Sequence, residues 1–204
     1  MQRTRSLLAR VRTGPLLLLV CTSAQAQVRT DVFDVRHRDE VLGRIDAQRV
    51  VEGDRTTYSM ISHSTFHMVW TQEVHTVVRS HYVSERVVGC ISTVHVNEDM
   101  RDSSALRTVA GRGLYFVHPG NVYGAALPTN PWTTSRMYYD EPIGLDSIFV
   151  ESDLREYPLV ALGPGEYLLK LDNKHSNHYI YRNGRLMEVR VDRGWLELVF
   201  RRVS

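Results

Sequence analysis

Histidine is the residue type whose spacing comes nearest to a chemical site in this sequence. Of its nine histidines, five lie in one stretch, at positions 63, 67, 75, 81 and 95. His63 and His67 have the spacing of a zinc-binding pair on a helix, but the local pattern is a strand, where four residues span about 13 Å. A metal site would need partners from other strands. His67 and His75 could face each other if the chain reverses near Thr71, but no third ligand is evident. We therefore predict no metal ion and no cofactor, with the histidines half-buried or exposed on strands.

Carboxylates and hydroxyls offer a second chemistry. Glu151 and Asp153 are two residues apart at a predicted strand end, so they could share a face. Glycosidases pair carboxylates across a cleft, but nothing in the sequence places a second carboxylate there, and the alternative is that both are exposed acids that end the strand. No serine lies in a G-x-S-x-G nucleophile turn, and the stretch Ala-Gly-Arg-Gly at 110–113 is too short for a phosphate loop. We predict no catalytic residue and keep a secreted hydrolase that uses carboxylates and histidines as the alternative.

Aromatic side chains in an irregular stretch are the candidate ligand-binding residues. Residues 119–145 contain four prolines and three glycines and show no clean alternation. The hydroxyl residues at 133–135 could cap a short helix over 136–139, which Pro142 would end. A long connection of this kind often carries function, although a simple link between parts of the sheet explains it equally well. We expect this connection to cross an end or edge of the sheet, with Trp132, Tyr138 and Tyr139 at the rim of a ligand site.

Strands must position these residues. From Val28 onward, beta-branched and aromatic residues are dense and the dominant period is two. The clearest turn is Asn183-Gly184, because this pair readily takes the positive φ angles of a two-residue hairpin. Alternation along the run that follows predicts Met187, Val189 and Val191 on one face, and Leu186 with Glu188 and Arg190 on the other.

We expect about ten strands joined by short hairpins, which leaves little room for crossover helices and disfavours a parallel sheet. Four of them are predicted at 56–68, 73–84, 86–97 and 105–117. The predicted fold class is all-β: a single antiparallel, strongly curved sheet, or an open or half barrel, with one irregular, partly helical connection. Residues 27–204 would form a single β domain.

The first 26 residues have the three parts of a signal peptide. Basic residues end at Arg12, an apolar run covers 16–21, and Ala24 and Ala26 are the small residues that the cleaving peptidase needs. The run is too short to span ~30 Å of hydrocarbon as a helix, and no later segment is long enough. We expect cleavage after Ala26 and export to the periplasm or medium of a Gram-negative-type cell. An uncleaved N-terminal helix and a lipid on Cys21 are the alternatives.

Charge argues against generic nucleic-acid binding. The sequence has 25 Lys and Arg, 23 Asp and Glu and a formal net charge of +2, but the leader carries four of the arginines and no acid. The mature chain would therefore have a net charge of −2, with no excess positive charge to neutralise phosphates.

It would also hold a single cysteine, Cys90, so no intrachain disulfide could form. Cys90 lies in an apolar run, which favours a buried, inert thiol over a reactive one.

Motifs in the last third resemble a family of exported bacterial proteins classed as a domain of unknown function. They are Tyr-Tyr-Asp-Glu-Pro at 138–142, Ile-Phe-Val-Glu at 148–151, Gly-Glu-Tyr at 165–167 and the Asn-x-Tyr-x-Tyr-x-Asn-Gly run at 177–184. Together they make the resemblance strongest over 138–201. The resemblance implies a strongly curved antiparallel sheet in an exported protein, with no catalytic residue to carry over. Related exported half-barrels that hold lipid-like groups supply an analogy.

These observations predict a non-enzymatic, periplasmic or secreted β-sheet module. A partly apolar concave face would bind an amphiphilic, lipid-like ligand or a cell-envelope partner. The hydrolase alternative requires the histidines and carboxylates to meet in one cleft. A third hypothesis is a structural module that binds an envelope protein through an exposed sheet edge.

Overall fold

The alternating stretches of the sequence form strands along nearly the whole chain. The computed structural model describes residues 26–67, 70–117 and 120–203. Over these residues it contains one 3₁₀ turn, Arg136–Tyr138, and fourteen strands. The strands are β1 (Gln27–His37), β2 (Glu40–Glu52), β3 (Arg55–His67), β4 (Thr71–Val83), β5 (Arg86–Val96), β6 (Asp99–Val109), β7 (Arg112–Val117), β8 (Asn121–Ala125), β9 (Ser147–Val150), β10 (Arg155–Gly163), β11 (Glu166–Lys170), β12 (Ser176–Arg182), β13 (Arg185–Asp192) and β14 (Glu197–Arg202).

All the strands belong to one antiparallel sheet. Its order is β8-β7-β6-β5-β4-β3-β2-β1-β14-β13-β12-β11-β10-β9, so the first and last strands of the chain pair in the middle. Two meanders run outward from that pair, and their last strands, β8 and β9, are the two ends of the order. The predicted all-β, antiparallel and open sheet is confirmed.

Contacts with one buried segment show how strongly the sheet curves. Strands β4 and β12 are six steps apart in the sheet order, which would separate them by about 29 Å if the sheet were flat. Yet Ser80 of β4 lies 3.0 Å from Ser135 (Oγ to Oγ), while the Tyr181 hydroxyl of β12 donates to the Met137 carbonyl oxygen at 2.6 Å. Because Ser135 and Met137 are two residues apart, the sheet must wrap around the segment that carries them.

That segment, residues 126–146, is called the inner segment below. It is shorter than the predicted connection because β8 takes residues 121–125, and it crosses the inner face of the sheet rather than an end or edge. Its helical part is one 3₁₀ turn. The Ser135 side chain does not cap that turn, since its hydroxyl bonds to Ser80 instead. Beside the turn, Thr133 forms a parallel bridge with Phe149 of β9.

One predicted strand is two strands. The predicted strand 105–117 is divided between β6 and β7 by a turn at Ala110-Gly111, whose φ angles are 50° and 75°. Alanine rarely adopts a positive φ, so Gly111 is the only one of the two turn residues whose type favours the turn. The Asn183-Gly184 hairpin is confirmed, with φ angles of 53° and 70°.

A bulge changes which side chains of β13 are buried. The β12–β13 register shifts between Ile180 and Tyr181, which brings Leu186 opposite Tyr181. Leu186 is therefore 1% exposed and Met187 is 38% exposed, the reverse of the predicted faces, whereas Val189 and Val191 are buried as predicted. A one-residue shift is sufficient because side chains alternate between faces with a period of two.

The predicted signal peptide and Cys21 lie almost wholly outside the described residues. Within those residues, none of the helical structure has the length and apolar character needed to cross a membrane.

Strands β2 and β3 approach each other closely at Gly43. A Cβ atom on Gly43 would lie 2.0 Å from the His63 carbonyl oxygen and 2.5 Å from the Ser64 Cα atom, so Gly43→Ala must push β2 away from β3. We expect a loss of about 2 kcal/mol or more in the free energy of unfolding, measured by urea denaturation. Gly163→Ala is the control, because nothing lies within 4 Å of its added Cβ atom. Equal stability of the two variants would contradict the reasoning.

Candidate functional site

The inner face of the sheet, on which the inner segment lies, is the candidate site. The part beneath the inner segment is completely filled with side chains. Phe33 packs edge-to-face on Tyr138 with ring centroids 5.1 Å apart, and Tyr58 and Tyr82 meet in the same way at 5.3 Å. All four rings are buried, so this half of the face is a packed core.

A buried carboxyl group fastens the inner segment to the sheet. Glu151, just after β9, is completely buried, and its Oε1 atom accepts hydrogen bonds from the Ser80 hydroxyl at 2.8 Å and the Ser135 amide at 3.0 Å. Its Oε2 atom accepts the Thr134 amide at 3.1 Å and also the Thr134 hydroxyl. The Glu151 carbonyl oxygen accepts from Ser104 of β6 at 2.6 Å. One residue therefore joins β4, β6 and the inner segment.

Arg136 is the second fastening point. Its guanidinium group lies over the ring of Trp132, 4.3 Å from the centroid, and lies 5.5 Å from the ring centroid of Tyr82. It pairs with Glu85 at 2.7 Å and with Asp140 at 3.0 Å. Burial opposes the charge, but Tyr58, Glu85 and Asp140 together raise the Arg136 pKa. Cation–π contacts and ion pairs therefore hold the 3₁₀ turn against the strands.

The three predicted ligand-binding residues do not lie at an open rim. Tyr138 and Tyr139 are each 4% exposed, and burial raises the pKa of both phenols well above the ordinary value. Trp132 is half-buried against Arg136. Tyr138 and Tyr139 lie in the core and Trp132 packs against it, because the inner segment crosses the inner face rather than its edge. Contact between these three residues and a ligand stays a prediction.

The other half of the inner face is open. On β3 to β5, Ser64 and Ser92 of the same face are buried, but the other side chains that continue this face beyond the inner segment are only half-buried. Strand register sets them in rows: Met60 faces Val78, and Ser62 faces Thr76, which in turn faces Val94. The result is a patch of methyl groups and hydroxyls, which we call the open patch. Alternation in the sequence predicts that these side chains share one face of the sheet. It does not predict which end of that face the inner segment leaves uncovered.

Three histidines form a row on the outer face, opposite the inner segment. Strand register places His63 beside His75 and His75 beside His95, with ring centroids 4.2 and 6.1 Å apart. Burial, then the proximity of His63 and His95, lowers the His75 pKa. The pairing of His67 with His75, which a reversal at Thr71 would have allowed, does not form: His67 pairs with Thr71, so the chain reverses before Thr71.

The carboxylates of the hydrolase alternative do not converge. Glu151 is buried among hydrogen-bond donors, whereas Asp153 is exposed and pairs with the Tyr157 hydroxyl. Neither lies near the histidine row, which is on the other face of the sheet.

In the residues that the structure describes, no three histidine, cysteine or acidic side chains stand in metal-holding positions. Cys90 is buried, and burial raises the pKa of its thiol to about 12.

Comparison with known proteins gives a family but no activity. The model of a family described as a domain of unknown function (DUF6134) matches residues 33–203, which include the motifs at 138–201. No curated protein matches the sequence. Among solved structures, the chain resembles the crystal structure of a beta-barrel-like protein of domain of unknown function DUF1849 from Brucella abortus. The two are 10% identical, the match covers 86% of this chain and 95% of that chain, and the TM-score is 0.54. At this identity the likeness concerns the fold alone.

Replacement of the Glu151 carboxyl group with an amide should weaken the attachment of the inner segment. Glu151→Gln replaces one of the two carboxylate oxygens with an NH₂ group. That group would face the Thr134 or the Ser135 amide, and an amide donor would lose its acceptor. We expect a loss of about 2–4 kcal/mol in the free energy of unfolding, measured by urea denaturation. Glu52→Gln, at an exposed glutamate at the end of β2, should stay within about 0.5 kcal/mol of the parent. Similar stabilities for both variants would show that Glu151 does not fasten the segment.

Glu156 should contribute to acid unfolding. Burial raises its pKa, but hydrogen bonds from Asn130, Thr129 and Ser147 outweigh this and bring the pKa below the ordinary 4.5. Because the folded-state pKa is the lower one, the stabilisation is present above pH 4.5 and is lost as the pH falls through the folded value. Glu156→Gln should therefore flatten the decline of unfolding free energy between about pH 5 and pH 3. Coincident pH profiles for Glu156→Gln, Glu52→Gln and the parent would contradict this assignment.

Proposed function

This chain belongs to the DUF6134 family, a domain of unknown function. For this member we propose the role of an exported, non-enzymatic module that holds an amphiphilic ligand on its open patch. The observation that carries the proposal is the contrast within one face. The same sheet surface is fully buried under the inner segment and only half-buried over the open patch. The β-barrel-like architecture is compatible with this role, since barrel mouths commonly hold ligands.

The composition of the open patch favours a ligand with both apolar and polar parts. Met60, Val78 and Val94 supply apolar surface, and their contact with an acyl chain would remove it from water. Ser62 and Thr76 lie between them and offer hydroxyls that can hydrogen-bond to a polar group at the start of the chain. Met60 also packs against the buried core, so a bound chain would extend that core rather than form a separate one.

The inner segment defines one end of the site. Its Ser135 hydroxyl is hydrogen-bonded to Ser80 of β4. The next inner-facing residues of β4, Val78 and Thr76, lie farther from the inner segment by about 7 Å for each two residues. An elongated ligand can therefore lie along the strands beyond the inner segment. The same arrangement explains why the rings of Tyr138 and Tyr139 are buried while the patch beside them stays open.

Export is part of the proposal and is supported by the leader pattern of residues 1–26. A cell-envelope protein as the occupant of the patch is the competing partner that the sequence allows. Native mass spectrometry of the protein purified from its own cells addresses both points at once. We expect a polypeptide that begins at Gln27 and carries a small ligand that organic solvent extracts. Recovery of the full-length chain would contradict processing. A tightly held protein partner in place of a small ligand would contradict the amphiphile.

A pair of adjacent variants tests the open patch directly. Val78→Asp places a charge on the inner face, whereas Val77→Asp places the same charge on the outer face, one residue away. Binding is measured by displacement of a fluorescent fatty-acid probe, and circular dichroism checks that both variants fold. We expect at least a tenfold weaker affinity for Val78→Asp and an unchanged affinity for Val77→Asp. No binding by the parent protein, or equal losses in both variants, would overturn the proposal.

A further inference from the structure

The histidine row on the outer face is a feature that the proposed function does not use. His63, His75 and His95 come from three adjacent strands, and the register of β3, β4 and β5 puts them side by side on one face. They line a cleft of about 410 Å³ together with Glu73 and Glu98. Three imidazoles and two carboxylates thus share one surface depression, although the residues are up to 35 positions apart in sequence.

The row is held by a rigid frame. The β5–β6 turn that carries Glu98 is fixed against β4 by two hydrogen bonds. The Asn97 amide donates to the Glu73 carbonyl oxygen, and the Asn97 side-chain oxygen accepts from the Glu73 amide, both at 2.9 Å. Beside it, the Nδ1 atom of His95 is buried and has no hydrogen-bond partner. A buried ring nitrogen without a partner is unfavourable, and a bound ion would relieve it.

We propose that His63, His75 and His95 bind one divalent transition-metal ion, with a carboxylate of the same cleft as a further ligand. Imidazole nitrogens favour copper, zinc and nickel ions over magnesium or calcium. In the structure the first two rings are stacked at 16° to each other rather than directed at a common point. His63 is exposed, so rotation of its side chain, with the strand register unchanged, is the movement that coordination requires.

The role of Glu73 and Glu98 follows from their position at the rim of the cleft. Both are exposed, and Glu98 lies in the turn directly after the strand that carries His95. An oxygen ligand from either residue would bring the ligand set to four, the number that zinc prefers. The site is on the face opposite the open patch, so metal binding and amphiphile binding can be measured independently.

Titration of the untagged protein purified from its own cells, with CuCl₂ and ZnCl₂ after EDTA dialysis, tests the site. We expect one ion per chain by calorimetry, with Cu²⁺ bound more tightly than Zn²⁺. The electron paramagnetic resonance spectrum of the Cu²⁺ complex should show nitrogen ligands. ZnCl₂ should also raise the thermal unfolding midpoint, because an ion that binds only the folded state stabilises it.

Single substitutions separate this site from scattered surface histidines. His75→Asn and His95→Asn should each weaken binding at least tenfold and abolish the Zn²⁺-dependent rise of the midpoint. His67→Asn is the matched control on the same face, since His67 pairs with Thr71 outside the row, and should leave the affinity unchanged. The proposal is overturned if the parent binds no stoichiometric ion, if His67→Asn weakens binding as much as His75→Asn, or if the copper spectrum shows oxygen ligands only.

Discussion

A carboxyl group buried in a protein interior is tolerated only when hydrogen-bond donors replace the water that it has lost. Glu151 finds its donors in Ser80 of the sheet and in Thr134 and Ser135 of the inner segment. These groups can meet only if the inner segment crosses the concave face and the sheet wraps around it. The position of one side chain is therefore coupled to the curvature of the sheet.

The same attachment divides the inner face into two parts with different properties. Under the inner segment, aromatic rings and the Arg136 clamp fill the space, and the face is a core. Beyond it, the strands β3, β4 and β5 continue with the same alternation but without a cover. A long strand that outlasts its covering segment necessarily presents half-buried apolar side chains, which is the physical basis of the ligand-binding proposal.

Local sequence signals predicted the strands well because alternation and turn residues act over a few positions. At Asn183-Gly184 both residues favour the turn, whereas at Ala110-Gly111 only the glycine does, which is a weaker signal. Long-range register depends on more than local sequence. A single bulge exchanges the faces of Leu186 and Met187 at the start of β13, and nothing local places His95 beside His75. Tyr138 and Tyr139 stand out in the sequence as predicted ligand-binding residues, but their burial depends on where the inner segment lies, which only the whole sheet decides.

Hydrogen–deuterium exchange of the native protein tests most directly whether the inner segment is part of the core. If Glu151 and Arg136 hold it against the sheet, the amides of residues 133–137 that donate within the protein should exchange about as slowly as those of β4, with unfolding of the whole domain as the main route to exchange. Exchange of residues 133–137 at the fast rate of an exposed loop, while β4 stays protected, would contradict the account.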